Sequence, residues 1–264
     1  MALPVACFAA AAQGHEFWID PEKHQISPDE DIVAAIRVGQ NYKGSSFSYL
    51  PPQFRRFEFV LGEDIQPVTG TMGDRPAVMM AAPGEGLVVL VHETTDKTLT
   101  YSEFQKFEDF VTHKGADWTL DAHATRGLPP ERFKEVYSRY AKSLVGVGGS
   151  QGQDRAVGLE VEIVALENPY TGEMADGFDA LVLYRGEPWA EAQVEIFEKP
   201  ADGEVAVSTL ITDSEGRVTV PVLTGHRYML DAVVLREPSA ELAGATGAVW
   251  ESLWANLTFE VPAL

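Results

Sequence analysis

Leu159-Glu160-Val161-Glu162-Ile163-Val164 sets an apolar residue at every second position with glutamates between, the period of a strand with one wet face. Working outward through the same half, the stretches 180–184, 193–197, 205–211, 218–222, 228–234 and 257–261 read as further strands. Together they make about seven, the number expected of a β-sandwich. Thr212-Asp213-Ser214-Glu215-Gly216-Arg217-Val218 is a hairpin signal, with Asp213 opening the turn and Gly216 free to take a positive φ.

Upstream the pattern is similar. Short apolar runs at 32–38, 57–61 and 77–81 end at Gly39, Gly62 and Pro83-Gly84, and the run 87–91 continues into His92-Glu93. Helical spacing occurs in two places. Residues 102–111 put Phe104, Phe107, Phe110 and Val111 on one face behind Ser102 as N-cap. Pro129-Pro130-Glu131 reads as the first turn of a second helix, with Phe133, Val136, Tyr137, Tyr140 and Ala141 at intervals of three and four. Residues 145–147 form one more short strand, and Gly148-Gly149-Ser150-Gln151-Gly152-Gln153 a flexible break. The expectation is a mainly β chain of two β-sandwich domains, 15–153 and 154–264, with the helices inserted in the first and packed across an end or a face of it.

Residues 1–14 are small and apolar and end in Ala12-Gln13-Gly14, the small-x-small pattern that a signal peptidase accepts. They read as an export signal without its basic leader, which points to an upstream start. The run falls short of the roughly 20 apolar residues that span a bilayer. Cys7 is the single cysteine and lies inside this segment, so the exported chain has no disulfide and any metal site is built from nitrogen and oxygen. Forty acidic against twenty basic residues give a formal charge of −20, which argues against nucleic acid or anionic lipid as partner.

Cleavage after Gly14 makes His15 the first residue, with a free amine and a ring nitrogen able to chelate one ion together. Such a pair suits Cu(II) or Ni(II), which favour nitrogen ligands in tetragonal geometry. The competing reading of His15 is an exposed terminal residue. The other five histidines are His24, His92, His113, His123 and His226, and none lies in a local zinc signature. His92, beside Glu93 at a strand end, either completes a site or sits at the surface. His113 and His123 bracket a turn and could converge, although their spacing fits no metal motif. His24 and His226 lie in turn-like surroundings and read as solvated. Trp250 and Trp254, four apart, line a groove or plug a domain junction. There is no G-x-S-x-G elbow and no usable thiol, so nucleophilic catalysis finds no support.

His15-Glu16-Phe17-Trp18-Ile19 after a small-residue cleavage site, the stretch 137–145, Asn168-Pro169-Tyr170, the stretch 212–218 and the stretch 250–259 together resemble a bacterial periplasmic family, DUF4198. Its members are labelled as a domain of unknown function or as the periplasmic component of a nickel- or cobalt-type ABC transport system. The resemblance covers nearly all of the exported chain. It implies an immunoglobulin-like first domain and a transthyretin-like second one. It also implies a periplasmic, non-catalytic protein that binds nickel or cobalt and serves a membrane metal transporter, with the terminal histidine at His15. On this reading His15 supplies amine and imidazole to a divalent transition metal (Ni, Co or Cu), and His92 or a nearby carboxylate such as Glu16 completes the site. Two alternatives stand beside it: a protein- or glycan-interaction module without metal, and a copper-dependent oxygenase working from an N-terminal histidine.

Overall fold

The computed structural model describes residues 15–263. The expected signal segment 1–14, and with it the cleavage that would free the His15 amine, lies outside the described residues. In chain order the elements are β1 (Glu16–Pro21), β2 (Gln25–Ile26), β3 (Asp31–Gln40), β4 (Lys43–Phe47), β5 (Phe54–Leu61), β6 (Asp64–Pro67), β7 (Val78–Ala81), β8 (Gly86–Thr94) and β9 (Lys97–Tyr101). Two helices follow, α1 (Phe104–His113) and α2 (Trp118–Thr125), then the long β10 (Phe133–Val147). The rest comprises β11 (Val161–Ala165), β12 (Phe178–Tyr184), β13 (Glu187–Pro188), β14 (Gln193–Lys199), β15 (Ala206–Ile211), β16 (Arg217–Val220), β17 (Arg227–Arg236), α3 (Ala240–Thr246) and β18 (Ala248–Glu260). Among the described residues no helix is long and apolar enough to cross a membrane.

The mainly β expectation is met, in three sheets. A ten-stranded sheet runs β15-β14-β17-β18-β10-β8-β5-β6, with β2 and β9 also on β10; a small sheet joins β1, β3, β4 and β7; another joins β11, β12, β13 and β16. The large sheet spans both halves of the sequence, because β10 and β18 pair in parallel from Lys134↔Ala248 to Ser143↔Thr258. The boundary expected at 153/154 therefore lies in the connection from β10 to β11, while the large sheet crosses from one half to the other.

The second predicted helix is absent: residues 133–147 form β10, a strand covered on both faces. Its odd-numbered residues Ala141, Val145 and Val147 pack with Phe17, Ile19 and Ile36 of the small sheet. Its even-numbered Tyr140 and Leu144 pack with Ile163, Phe178 and Val182 of the third sheet. A strand apolar on both sides loses its simple alternation, and the surviving aromatic spacings of three and four imitate a helix. Pro129 and Pro130 belong to the preceding loop. The helix that follows α1 is instead α2, and α1 starts later than expected, with Glu103 at its N-cap and no capping side-chain bond.

The stretch after β10, read as flexible, is pinned by buried polar groups. Lys142 pairs with Asp154 at 2.8 Å and Glu162 at 3.1 Å. Glu162 also accepts from the amides of Val157, Gly158 and Leu159, and the Asn168 amide donates to the carbonyls of Ser150 and Gly152. A buried charge is tolerated when it is paired and its remaining valences are satisfied, as here.

Both helices cap one face of β17 and β18, where Phe107, Phe110 and Val111 pack on Val233, Leu235, Trp250 and Trp254. Trp250 is the anchor: its ring stacks on Phe107 at 5.9 Å, the Arg126 guanidinium lies 4.7 Å above it, and its Nε1 donates to His123 Nδ1 at 3.0 Å. Trp250→Ala is expected to lower stability by about 3–5 kcal/mol, the usual loss for a large buried aromatic, as read from guanidinium unfolding.

Candidate functional site

One face of the large sheet is covered by the helices at one end and by the small sheet at the other. Between the two covers lies a cavity of about 400 Å³. Strand alternation decides what enters it. From β10 come Glu135, Tyr137 and Arg139; from β8, His92; from β9, Lys97 and Leu99; from β18, Trp254; and from β1 and the residue before it, Phe17 and His15.

His92 is 1 % exposed, in the body of β8 and not at the surface. Its ring is caged by Phe17, Phe54 and Phe57 at centroid distances of 5.1, 4.6 and 4.8 Å. Neither ring nitrogen has a hydrogen-bond partner among the described residues. Burial pushes the imidazole down to about 3, so the ring is neutral, the form that can ligate a metal. The Nδ1 of His15 is likewise buried without a partner, and its backbone carbonyl accepts from Arg139 Nη2 at 3.0 Å.

The deeper wall is polar. Glu135 is buried and accepts from Tyr101 Oη at 2.6 Å and from Ser252 Oγ, while Trp254 Nε1 donates to the same serine oxygen at 2.9 Å. Burial pushes the Glu135 carboxyl up to about 7. The Arg139 guanidinium lies 4.6 Å over the Tyr137 ring and 5.9 Å over Phe17, and its Nε has no partner among the described residues.

Glu16 does not join His15 and His92, because its neighbours His15 and Phe17 take the cavity side of the strand. It turns toward a second buried cluster, where its carboxylate lies 3.8 Å from Lys114 Nζ, which also pairs with Asp231 at 3.0 Å and with Glu195. Burial, reinforced by the Asp231 charge, pushes Glu16 up to about 7. Burial opposes the Lys114 charge, but Asp231, Glu195 and Glu16 together hold its pKa above the ordinary lysine value. Its ammonium also lies 4.8 Å from the Trp254 ring.

The remaining histidines take separate structural places. His113 contacts Glu195 at 2.7 Å, whereas His123 is buried, accepting from Trp250 at Nδ1 and donating from Nε2 to the Pro129 carbonyl, so the two do not converge. His24 is buried rather than solvated: its Nδ1 donates to the Leu144 carbonyl at 2.9 Å, and burial pushes it down to about 4. His226 is half-buried and contacts Glu198 at 2.7 Å. Trp250 is a plug, and Trp254 both plugs and lines the cavity. Among the described residues no three or more His, Cys, Asp or Glu side chains gather as a metal site. A metal at His15 and His92 therefore requires a donor beyond side chains. Sequence reasoning missed Glu135, Arg139 and Lys97; reading 133–141 as a strand would have placed Glu135, Tyr137 and Arg139 on one face.

Residues 12–236 match the family described as Domain of unknown function (DUF4198). The chain belongs to that family. The nickel- or cobalt-uptake label is no part of the match. None of the curated proteins matches the chain. Among solved structures, the D0-D1 domain of Intimin is similar at 15 % identity over 92 % of this chain and 97 % of that one, with a TM-score of 0.25.

Two substitutions test this description. His92→Phe removes two unpartnered buried nitrogens, and an unsatisfied buried polar group costs about 1–3 kcal/mol. Allowing for the tighter fit, it is expected to raise stability by about 1 kcal/mol. Because the wild-type imidazole is held below its ordinary 6.5, its share of stability is lost as pH falls toward 3, so the advantage of the variant widens in acid. Glu135 has the opposite sign. Its folded-state pKa lies above the ordinary 4.5, so its contribution is present below pH 4.5 and is lost as pH rises through about 7. Relative to wild type, Glu135→Gln is expected to gain stability across that window by on the order of 2 kcal/mol in urea unfolding.

Proposed function

We propose that the protein is a periplasmic binder of a divalent transition metal, nickel, cobalt or copper, that serves a membrane uptake transporter and performs no reaction itself. The observation that carries this reading is the meeting of His15 and His92 in one cavity, each with buried ring nitrogen that nothing in the described chain engages. Buried polar atoms are normally satisfied, and two imidazoles with unpartnered nitrogens on one cavity wall are placed to meet a ligand there. Cleavage before His15 adds its amine, so two residues offer three neutral nitrogens without any cysteine, a set suited to tetragonal Cu(II) or Ni(II). The oxygenase alternative fits less well, since a polymer needs an open face beside the metal and His92 is enclosed by three phenylalanine rings.

Intact mass of the exported protein fixes its first residue, and calorimetric titration of the form beginning at His15 with Ni(II), Co(II), Cu(II) and Zn(II) measures binding. One ion per chain is expected, with His15→Ala, His92→Phe and a form retaining Gly14 each at least tenfold weaker. Equal affinity in all three would falsify the assignment.

A further inference from the structure

The cavity is larger than an ion on three nitrogens requires. Its volume of about 400 Å³ lies within the range of small-molecule pockets, about 300–1,000 Å³. Its outer wall is apolar, built from Phe17, Ile36, Phe47, Leu50 and Phe54, with Phe47 42 % exposed at the mouth.

Its charge also runs against that of the chain. The sequence carries a formal −20, yet the ionisable groups on the cavity wall are His15, His92, Lys97, Glu135 and Arg139. His92 is neutral, and Glu135, which accepts from Tyr101 and Ser252 and faces Arg139, is the one acidic side chain on the wall. Lys97 and Arg139 remain as cations, and neither forms an ion pair with a carboxylate among the described residues. Arg139 rests instead on aromatic rings, with one nitrogen on the His15 carbonyl and its Nε unused. A guanidinium offers a planar fork of donors that matches a carboxylate, and such pairs gain strength away from water. A bare dication beside two cations in an apolar chamber is disfavoured on the same grounds, because its charge is left uncompensated.

We propose that the cavity takes a small organic carboxylate with an apolar body, its acid group on Arg139 and Lys97 and its body against Phe17, Phe54 and Trp254. Resting on the metal-binding reading above, the bound acid also supplies the anionic ligand that the protein lacks, so the cargo is a metal chelate and not a free ion. The apolar walls then exclude water from the complex, and the acid's negative charge, with that of Glu135, offsets part of the positive charge that the ion, Lys97 and Arg139 bring together.

The test uses benzoate, picolinate and benzamide as probes. Picolinate chelates through its ring nitrogen and carboxylate, benzoate has the same outline and charge without the nitrogen donor, and benzamide lacks the charge. In calorimetry on the form beginning at His15, benzoate and picolinate are expected to bind one per chain and to compete, with benzamide at least tenfold weaker. Nickel presented as its picolinate complex is expected to bind at least tenfold more tightly than either part alone. Arg139→Met is expected to weaken benzoate at least tenfold. Lys97→Met, at the half-exposed rim, is expected to weaken it about threefold and carries the test should the first variant not fold. Absence of benzoate and picolinate binding at millimolar concentration, or binding undiminished in the folded variants, overturns the proposal. Benzoate binding without metal binding sinks the metal reading and the chelate with it, leaving the carboxylate site, and metal binding indifferent to both acids sinks this inference alone.

Discussion

The parallel pairing of β10 with β18 is the constraint on which the molecule rests. It joins a strand from the middle of the chain to the last one and so links the C-terminal pair β17–β18 through β10 to the N-terminal β8 and β5, which makes one sheet out of two halves. A strand so placed has no free edge and no wet face for most of its length. Its backbone groups are held in ladders, and its side chains divide between two cores.

That division also creates the cavity. Along the odd-numbered residues of β10, Phe133 is covered by the helical cluster and Ala141 to Val147 by the small sheet. Glu135, Tyr137 and Arg139 fall between the covers. Neither cover reaches across, so polar groups that would be excluded from a filled core persist there. His92 persists beside them, a neutral ring among phenylalanines. Glu16, one residue along from His15, is drawn into the Lys114 cluster, where three carboxylates share one ammonium. The entry of β1 thereby separates two buried polar centres by the alternation of a single strand.

Where a short apolar run or a strict alternation is bounded by turn residues, the sequence reading and the structure agree closely, even in β11 and β17, which are buried on both faces. The stretch beginning at Leu159 is β11 in all but its ends, and 193–197, 205–211 and 228–234 fall on β14, β15 and β17. Along β10 the aromatic residues instead recur at three and four behind Pro129-Pro130, so the sequence reads as a helix through Ala141 and as a strand only at 145–147. Histidines were the other weak point. His24 and His92 carry no local sign of burial, because the groups that enclose them come from distant positions such as Leu144 and Phe17. His15 and His92 were singled out as a pair by residue type; Glu135 and Arg139 were hidden by the misread strand.

By itself the sequence determined the mainly β class, the tight turn at Asp213 and Gly216, the single cysteine, the acidic charge and the family, since each depends on residue identity or on a period within a few positions; that turn joins strands of two different sheets, β15 and β16, and not the arms of one hairpin. Only the tertiary structure decided that one sheet spans both halves, that His15 shares a cavity with His92 while Glu16 does not, and that this cavity gathers Lys97 and Arg139 around a single carboxylate inside an acidic protein. Those outcomes come from which strands pair and which face each turns inward. Pairing between residues more than a hundred positions apart leaves no periodic trace in either segment.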